Sequence, residues 1–374
     1  MTATPFYRYD LGLLRRTLEE IRKETVGNPG WHIHYAVKAN ANPLILNVVR
    51  EYGLGIDCVS GGEIQAALDA GFAPSGIVFA GVGKADWEID LALSSGIFCL
   101  NVESEAELDV IQERAAMLGK DVRIALRVNP DIDAHTHANI TTGLADNKFG
   151  INYDLLDGII RKAMVMKHIR LEGLHFHIGS QIVDMEPFRK LCKRINDIQD
   201  TLAGTGFSPL HINVGGGLGV DYINPESNPV PDFRQYFDVF RKELRLKEGQ
   251  HLHFELGRAI VAQCGELVTK VLYIKKSTAK QFAITDAGMT ELIRPALYGA
   301  YHKIVNLNGS GEIQKYDVVG PVCESSDVFG KDRELTEVHR GDLLAIRTAG
   351  AYGESMSSCY NLRPLPRSES FEAD

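Results

Sequence analysis

Nowhere in its 374 residues does the chain carry an apolar run approaching the roughly 20 residues that a membrane-spanning helix needs. The opening residues, Met1-Thr2-Ala3-Thr4-Pro5, have neither the basic start nor the apolar stretch of a secretion signal. The six cysteines (Cys58, Cys99, Cys192, Cys264, Cys323 and Cys359) are scattered and form no C-x-x-C pair. That usage points to a reduced, cytoplasmic protein rather than a disulfide-framed one. Positive charge is not in excess: the formal charge of −9 argues against nucleic acid and anionic membrane as partners. Low-complexity segments are absent. What remains is an ordinary globular composition, 44% hydrophobic and 24% charged, in a chain long enough for about two domains.

The order of local patterns sets the fold class. Short β-rich runs occur at 31–37, 54–59, 77–80, 97–101, 122–129, 171–178, 210–214 and 252–255. Between them lie stretches with apolar residues at three- and four-residue spacing, such as 43–52, 62–70, 103–118 and 187–202. Strands alternating with helical patterns imply βα units and a parallel sheet. Eight such units in roughly 240 residues match an α/β fold of the (β/α)8 (TIM) barrel type, which takes ~250. An open doubly wound sheet is the structural alternative. After Arg258 the texture changes to strand-like runs at 266–275, 281–286, 313–322 and 342–349, separated by Gly, Asn and Ser turns. The reading is therefore a barrel over 26–262 and an all-β domain over 263–374, joined by the N-terminal segment 1–25. The polar tail 367–374 is expected to fray.

In such a barrel, chemistry collects at the C-terminal ends of the strands. Those ends read Lys38, Asp57, Gly81, Asn101, Arg127 with Asn129, His177, Gly215-Gly216-Gly217 and Glu255. Gly215-Gly216-Gly217-Leu218-Gly219 is either a flexible turn or a nest of backbone N–H groups for a phosphate. Its place after the seventh strand favours phosphate, and Arg258 could clamp the same group. Glu255 is either half of a buried ion pair or the carboxylate that keeps a cofactor ring nitrogen protonated. H-x-H pairs at His32/His34, His135/His137, His175/His177 and His251/His253 raise a rival class, a metal-dependent barrel hydrolase. Only His177 stands at a strand tip directly before Gly179-Ser180, a position suited to stacking on a flat cofactor. Lys38 by itself reads as a surface lysine. With a phosphate nest, a carboxylate and a stacking histidine it reads as the attachment point of pyridoxal 5′-phosphate, and no metal is called for.

From residue 4 to 366 the motifs resemble the fold-type III pyridoxal 5′-phosphate enzymes, whose barrel and β domain follow the alanine racemase-like plan. His34-Tyr35-Ala36-Val37-Lys38-Ala39-Asn40 resembles the family's cofactor-lysine motif, and His175-Phe176-His177-Ile178-Gly179-Ser180-Gln181 its stacking-histidine motif. Glu255-Leu256-Gly257-Arg258 resembles the E-P-G-R motif with leucine in place of proline, a change that removes a fixed φ. The resemblance implies cofactor contacts from Lys38, Asp57, His177, Ser180, Gly215, Gly216, Gly217, Glu255, Gly257, Arg258 and Tyr352. Cys323-Glu324-Ser325-Ser326-Asp327 resembles a segment that enters the partner subunit's active site, which implies a homodimer with Cys323 as proton donor. Arg258, Arg294, Tyr298, Glu324 and Tyr352 are then the implied substrate ligands, and Lys38, Cys323 and His177 the implied catalytic residues. The implied reaction is α-decarboxylation of meso-2,6-diaminopimelate to L-lysine. Ornithine, arginine or carboxynorspermidine are the alternative substrates. A racemase of the same plan pairs its ring nitrogen weakly, often through arginine, and Glu255 argues against it.

Overall fold

The computed structural model describes residues 3–132, 148–202 and 204–372. The histidine pair His135/His137 lies outside the described residues. The chain forms two compact units, one of Leu18–Gly219 and Asp232–Gly257, the other of Met1–Thr17, Val220–Pro231 and Arg258–Asp374.

A first strand, β1 (Phe6–Asp10), precedes the barrel. The barrel strands are β2 (Trp31–Ala36), β3 (Gly55–Cys58), β4 (Ile77–Phe79), β5 (Cys99–Val102), β6 (Val122–Arg127), β7 (Ile169–His175), β8 (His211–Asn213) and β9 (His251–Leu256). They pair in parallel in sequence order, and β9 returns to β2 to close the barrel, with Trp31 opposite Leu252 and His34 opposite Glu255. All eight fall where the β-rich runs of the sequence stand. The turns that lead from strand to helix use a local code. After β3 the Ser60 side chain accepts from Glu63 N at 3.2 Å, while Glu63 reaches back to Val59 N at 2.7 Å. After β5 Ser104 and Glu107 repeat the pattern, at 3.2 Å to Glu107 N and 2.7 Å to Glu103 N. This S-x-x-E signature satisfies orphan helix donors and fixes where each helix leaves the strand tip. Outside the barrel wall, alternate residues of β2 and β9 meet the helix Phe233–Glu243: Trp31 lies 5.2 Å from the Phe254 ring, and Phe254 lies 5.0 Å from Phe237.

The second unit is built on β10 (Gly265–Lys276), β11 (Gln281–Thr285), β12 (Ile304–Asn306), β13 (Ile313–Val319), β14 (Val328–Thr336), β15 (Leu343–Ile346) and β16 (Arg367–Phe371), in the order β12-β15-β10-β11-β13-β14. Strand β1 runs antiparallel to β10 and parallel to β16. The expectation of a frayed tail fails here: Arg367–Phe371 is a strand, in register with Phe6–Asp10. Backbone pairing holds it where side-chain hydrophobicity gave no signal, and Arg8 sits 5.1 Å over the Phe371 ring.

Candidate active site

Lys38 lies in the helical turn Val37–Ala39 that follows β2. Its Nζ donates to Asp57 Oδ2 at 2.9 Å. Asp57 is fully buried on β3, and among the described residues its Oδ1 has no hydrogen-bond partner. Burial, reinforced by the Glu255 charge and opposed by Lys38, raises its carboxyl to about 7. Glu255, on β9, behaves in the opposite way. Burial alone would push it up, but His175, then Lys38 and His177, hold it well below the usual carboxylate range. His175 Nε2 donates to Oε2 at 3.0 Å, and Asn213 Nδ2 and Asn101 Nδ2 donate to Oε1 at 2.7 and 3.3 Å. His175, Asn101 and Asn213 are buried and were not among the residues assigned contacts from the sequence. Their signal was the alternation of polar residues along strands that a packed barrel would fill with aliphatics.

His177 stands two residues beyond His175, past the end of β7. Gly216 N donates to its Nδ1 at 3.3 Å, which assigns the ring proton to Nε2. Burial and the nearby positive charges of Arg127 and Lys38 keep this imidazole neutral. The glycine run is a nest that side chains could not share: a Cβ on Gly216 would meet the Glu255 carbonyl at 1.9 Å, and one on Gly217 the Gly179 carbonyl at 2.8 Å. Gly215 adopts φ +68°. The following loop is stitched to the one that carries Ser180, with Ile182 N donating to Gly217 O and Gly219 N to Ile182 O, each at 2.9 Å. Leu256 closes β9 opposite Tyr35 and is buried, so strand pairing holds the position where the motif has proline; Gly257, also buried, follows it. Arg127 is engaged elsewhere: it donates to Glu103 Oε1 at 2.8 Å, and Glu103 also accepts from Gly81 N.

In the second unit, Arg258 and Arg294 share the ring of Tyr222. Arg258 Nη1 donates to the Tyr222 hydroxyl at 2.6 Å, and its guanidinium lies 4.9 Å over Tyr352, whose own backbone sits at φ +56°. The Arg294 guanidinium is 5.4 Å from the Tyr222 ring and 6.0 Å from Tyr298. Its Nε donates to His302 Nε2 at 3.4 Å, and His302 Nδ1 donates to the Arg347 carbonyl at 3.0 Å. Burial, then the Arg294 charge, pushes His302 down to about 3, leaving a neutral acceptor. Arg294 is buried, and no carboxylate among the described residues pairs with it. Tyr222 and His302 had no sequence motif to mark them. Cys323 and Glu324 are exposed and bond elsewhere: Cys323 N to Asn361 Oδ1 at 3.4 Å, and Glu324 Oε1 to the Tyr360 hydroxyl at 2.8 Å.

The pyridoxal-binding domain of the pyridoxal-dependent decarboxylases matches residues 11–262 of the chain. The chain belongs to the pyridoxal-dependent decarboxylases. Within this family it is 59% identical to the diaminopimelate decarboxylase of Bacteroides thetaiotaomicron, over 97% of this chain and 94% of that one. It is 46% identical to the enzyme of the same name from Vibrio cholerae, over 96% and 86%. The crystal structure of diaminopimelate decarboxylase from Helicobacter pylori complexed with L-lysine superposes with a TM-score of 0.94 at 43% identity, covering 100% of this chain and 92% of that one. The barrel unit fits the family's cofactor in kind. It offers a lysine, a buried carboxylate oxygen without a partner among the described residues, a second carboxylate held ionised, and a glycine turn with no side chains to obstruct a phosphate. Among the described residues no group of three or more His, Cys, Asp or Glu has an arrangement that could hold a metal ion.

Proposed function

We propose that this pyridoxal 5′-phosphate-dependent decarboxylase converts meso-2,6-diaminopimelate to L-lysine and CO2. The observation that carries the reading is the 59% identity to a diaminopimelate decarboxylase over 97% of the chain. When bound, the cofactor supplies an electron sink for the charge left by the departing carboxylate. The protein supplies everything else. Lys38 is the amine for covalent attachment, and Asp57 is its counter-ion. Glu255, kept ionised by His175, then Lys38 and His177, suits the task of keeping a ring nitrogen protonated. His177, neutral, gives a flat face for stacking. Gly215, Gly216, Gly217, Ser180 and Gly257, with Arg258 and Tyr352, are assigned the phosphate.

Specificity is assigned to Arg294 and Tyr298, for the distal carboxylate, and to Glu324, for the distal amine; Arg258 and Tyr352 also face substrate in this reading. Ornithine and the other simple basic amino acids lack that carboxylate and would leave Arg294 unpaired, a cost of about 1–3 kcal/mol in a desolvated site. Cys323 would protonate the product carbanion in the active site of a second copy, so the working form is a homodimer in the cytoplasm. Among the described residues no helix is long and apolar enough to cross a membrane. The test is a CO2-release assay across diaminopimelate, ornithine, arginine and carboxynorspermidine, with release expected from diaminopimelate. No release from diaminopimelate together with release from ornithine or arginine would sink the reading. Lys38→Ala is expected to lose the visible absorbance of the bound cofactor.

A further inference from the structure

Three buried side chains converge on Glu255, and one of them reaches a second part of the site. Asn213, the last residue of β8, donates from Nδ2 to Glu255 Oε1 at 2.7 Å and accepts at Oδ1 from Gly215 N at 2.9 Å. Glu255 N in turn donates to Gly215 O at 2.8 Å. Asn213, Gly215 and Glu255 thereby close a ring of hydrogen bonds that joins the carboxylate to the first residue of the glycine nest. An amide is suited to this because one planar group presents both a donor and an acceptor without charge. The count of bonds also distinguishes the two carboxylate oxygens. Among the described residues Oε1 receives both asparagines and is saturated, whereas Oε2 receives His175 alone and keeps a lone pair.

We propose that Asn213 is a positioning residue that locks the Glu255 carboxylate to the glycine nest and turns Oε2 toward the cofactor ring nitrogen. The proposal rests on the reading of Glu255 and Gly215–Gly217 as cofactor contacts. Without Asn213 the Gly215 N–H loses its acceptor and the turn loses the bond that fixes Gly215 against Glu255, and Oε1 becomes free to compete with Oε2. The two ends of the cofactor would then no longer be held at one spacing.

Two variants separate the functions of the amide. Asn213→Asp keeps an acceptor for Gly215 N but faces Glu255 with a second carboxylate, and two such groups share one proton. Asn213→Leu removes both bonds and keeps the branching at Cγ. In the apoprotein of Asn213→Leu, the rise in melting temperature that inorganic phosphate gives the wild type is expected to vanish. Its affinity for pyridoxal 5′-phosphate is expected to fall at least about tenfold. Asn213→Asp is expected to keep the phosphate effect. Its cofactor absorbance should show a transition between about pH 6 and 9 that the wild type lacks, and kcat should fall with KM little changed. A pH-independent spectrum in Asn213→Asp overturns the proposal, and this arm stands even if Asn213→Leu does not fold. Wild-type protein that takes up no pyridoxal 5′-phosphate overturns the underlying reading instead, before any variant is made.

Discussion

Arg294 is the residue whose surroundings say most about substrate. Its partners among the described residues are an imidazole nitrogen and two phenol rings, and a buried guanidinium without a carboxylate is a net cost to the fold. Burial accordingly lowers its pKa from the usual arginine value. Such a charge is tolerated where a ligand completes it. Arg294→Met is therefore expected to melt at a higher temperature than the unliganded wild type, while KM for diaminopimelate rises about 10- to 100-fold. Steady-state kinetics and thermal melts of the apoprotein check both, and a lower melting temperature would show that the arginine is structural. The sequence marked Arg294 and Tyr298 through the family resemblance, just as it marked Lys38 and Glu255 through their places at strand ends. It placed Asn101 at a strand end and His175 in a histidine motif without giving either a contact, and it did not mark Asn213, Tyr222 or His302. Those act by holding other side chains, and a polar residue inside a strand carries no signal of what it will touch until the barrel closes.

Elements were legible wherever periodicity was strong, which is why every barrel strand was anticipated and β12, β14 and β16 were not. Short or polar strands depend on pairing partners far away in sequence. The contents of the barrel were least legible of all. Inside the barrel, starting from His34 beside Glu255 and running toward the N-terminal ends of the strands, histidines of the H-x-H pairs that read as metal ligands or packing form instead a directed chain. A carbonyl only accepts, so His34 Nδ1 must donate to Gly76 O at 3.2 Å. Its Nε2 then accepts from His253 Nδ1 at 2.9 Å, and His253 Nε2 from His211 Nδ1 at 2.9 Å. The chain ends at His211 Nε2, 3.9 Å from Glu172 Oε2, beside the His32–His251 pair and a cavity of about 500 Å³ that Arg22 also lines. Burial, then the charge of neighbouring histidines for His211, lowers His34 and His211 to about 4 each, with Glu255 opposing at His34 and Arg123 adding at His211. These folded-state values lie below the unfolded value, so the unfolded chain binds more protons. Stability is then full above about pH 7, is lost as pH falls, and levels off below about pH 4. For the fully buried His34 the loss between pH 7.5 and 5 is about 2 kcal/mol. Urea midpoints measured across that range should fall with acid, and His34→Gln should flatten the slope. An equal slope in that variant would count against the chain as its source.

At the scale of the whole molecule, the segment assigned to chemistry in a second copy stands out from its own chain. Cys323 and Glu324 are exposed and tied to Tyr360 and Asn361. Beside them Leu362 is 97% exposed while its backbone holds φ +56°, as does Asn361 at φ +55°. A large apolar side chain kept in the left-handed region and presented to water is strained twice, and such outliers persist where a partner over-determines them. On the proposed dimer reading, a second copy covering Leu362 would remove the cost of its exposure and would bring Cys323 to where a proton is needed. Leu362→Glu should then convert a dimer to a monomer in sedimentation velocity and abolish decarboxylation without unfolding the chain. The sharper experiment mixes two inactive variants, Lys38→Ala and Cys323→Ala. If each active site takes Lys38 from one subunit and Cys323 from the other, half of the random dimers are mixed and each mixed dimer has one intact site. Activity should return to about a quarter of the wild-type value after exchange, whereas sites confined to one chain would give no recovery at all.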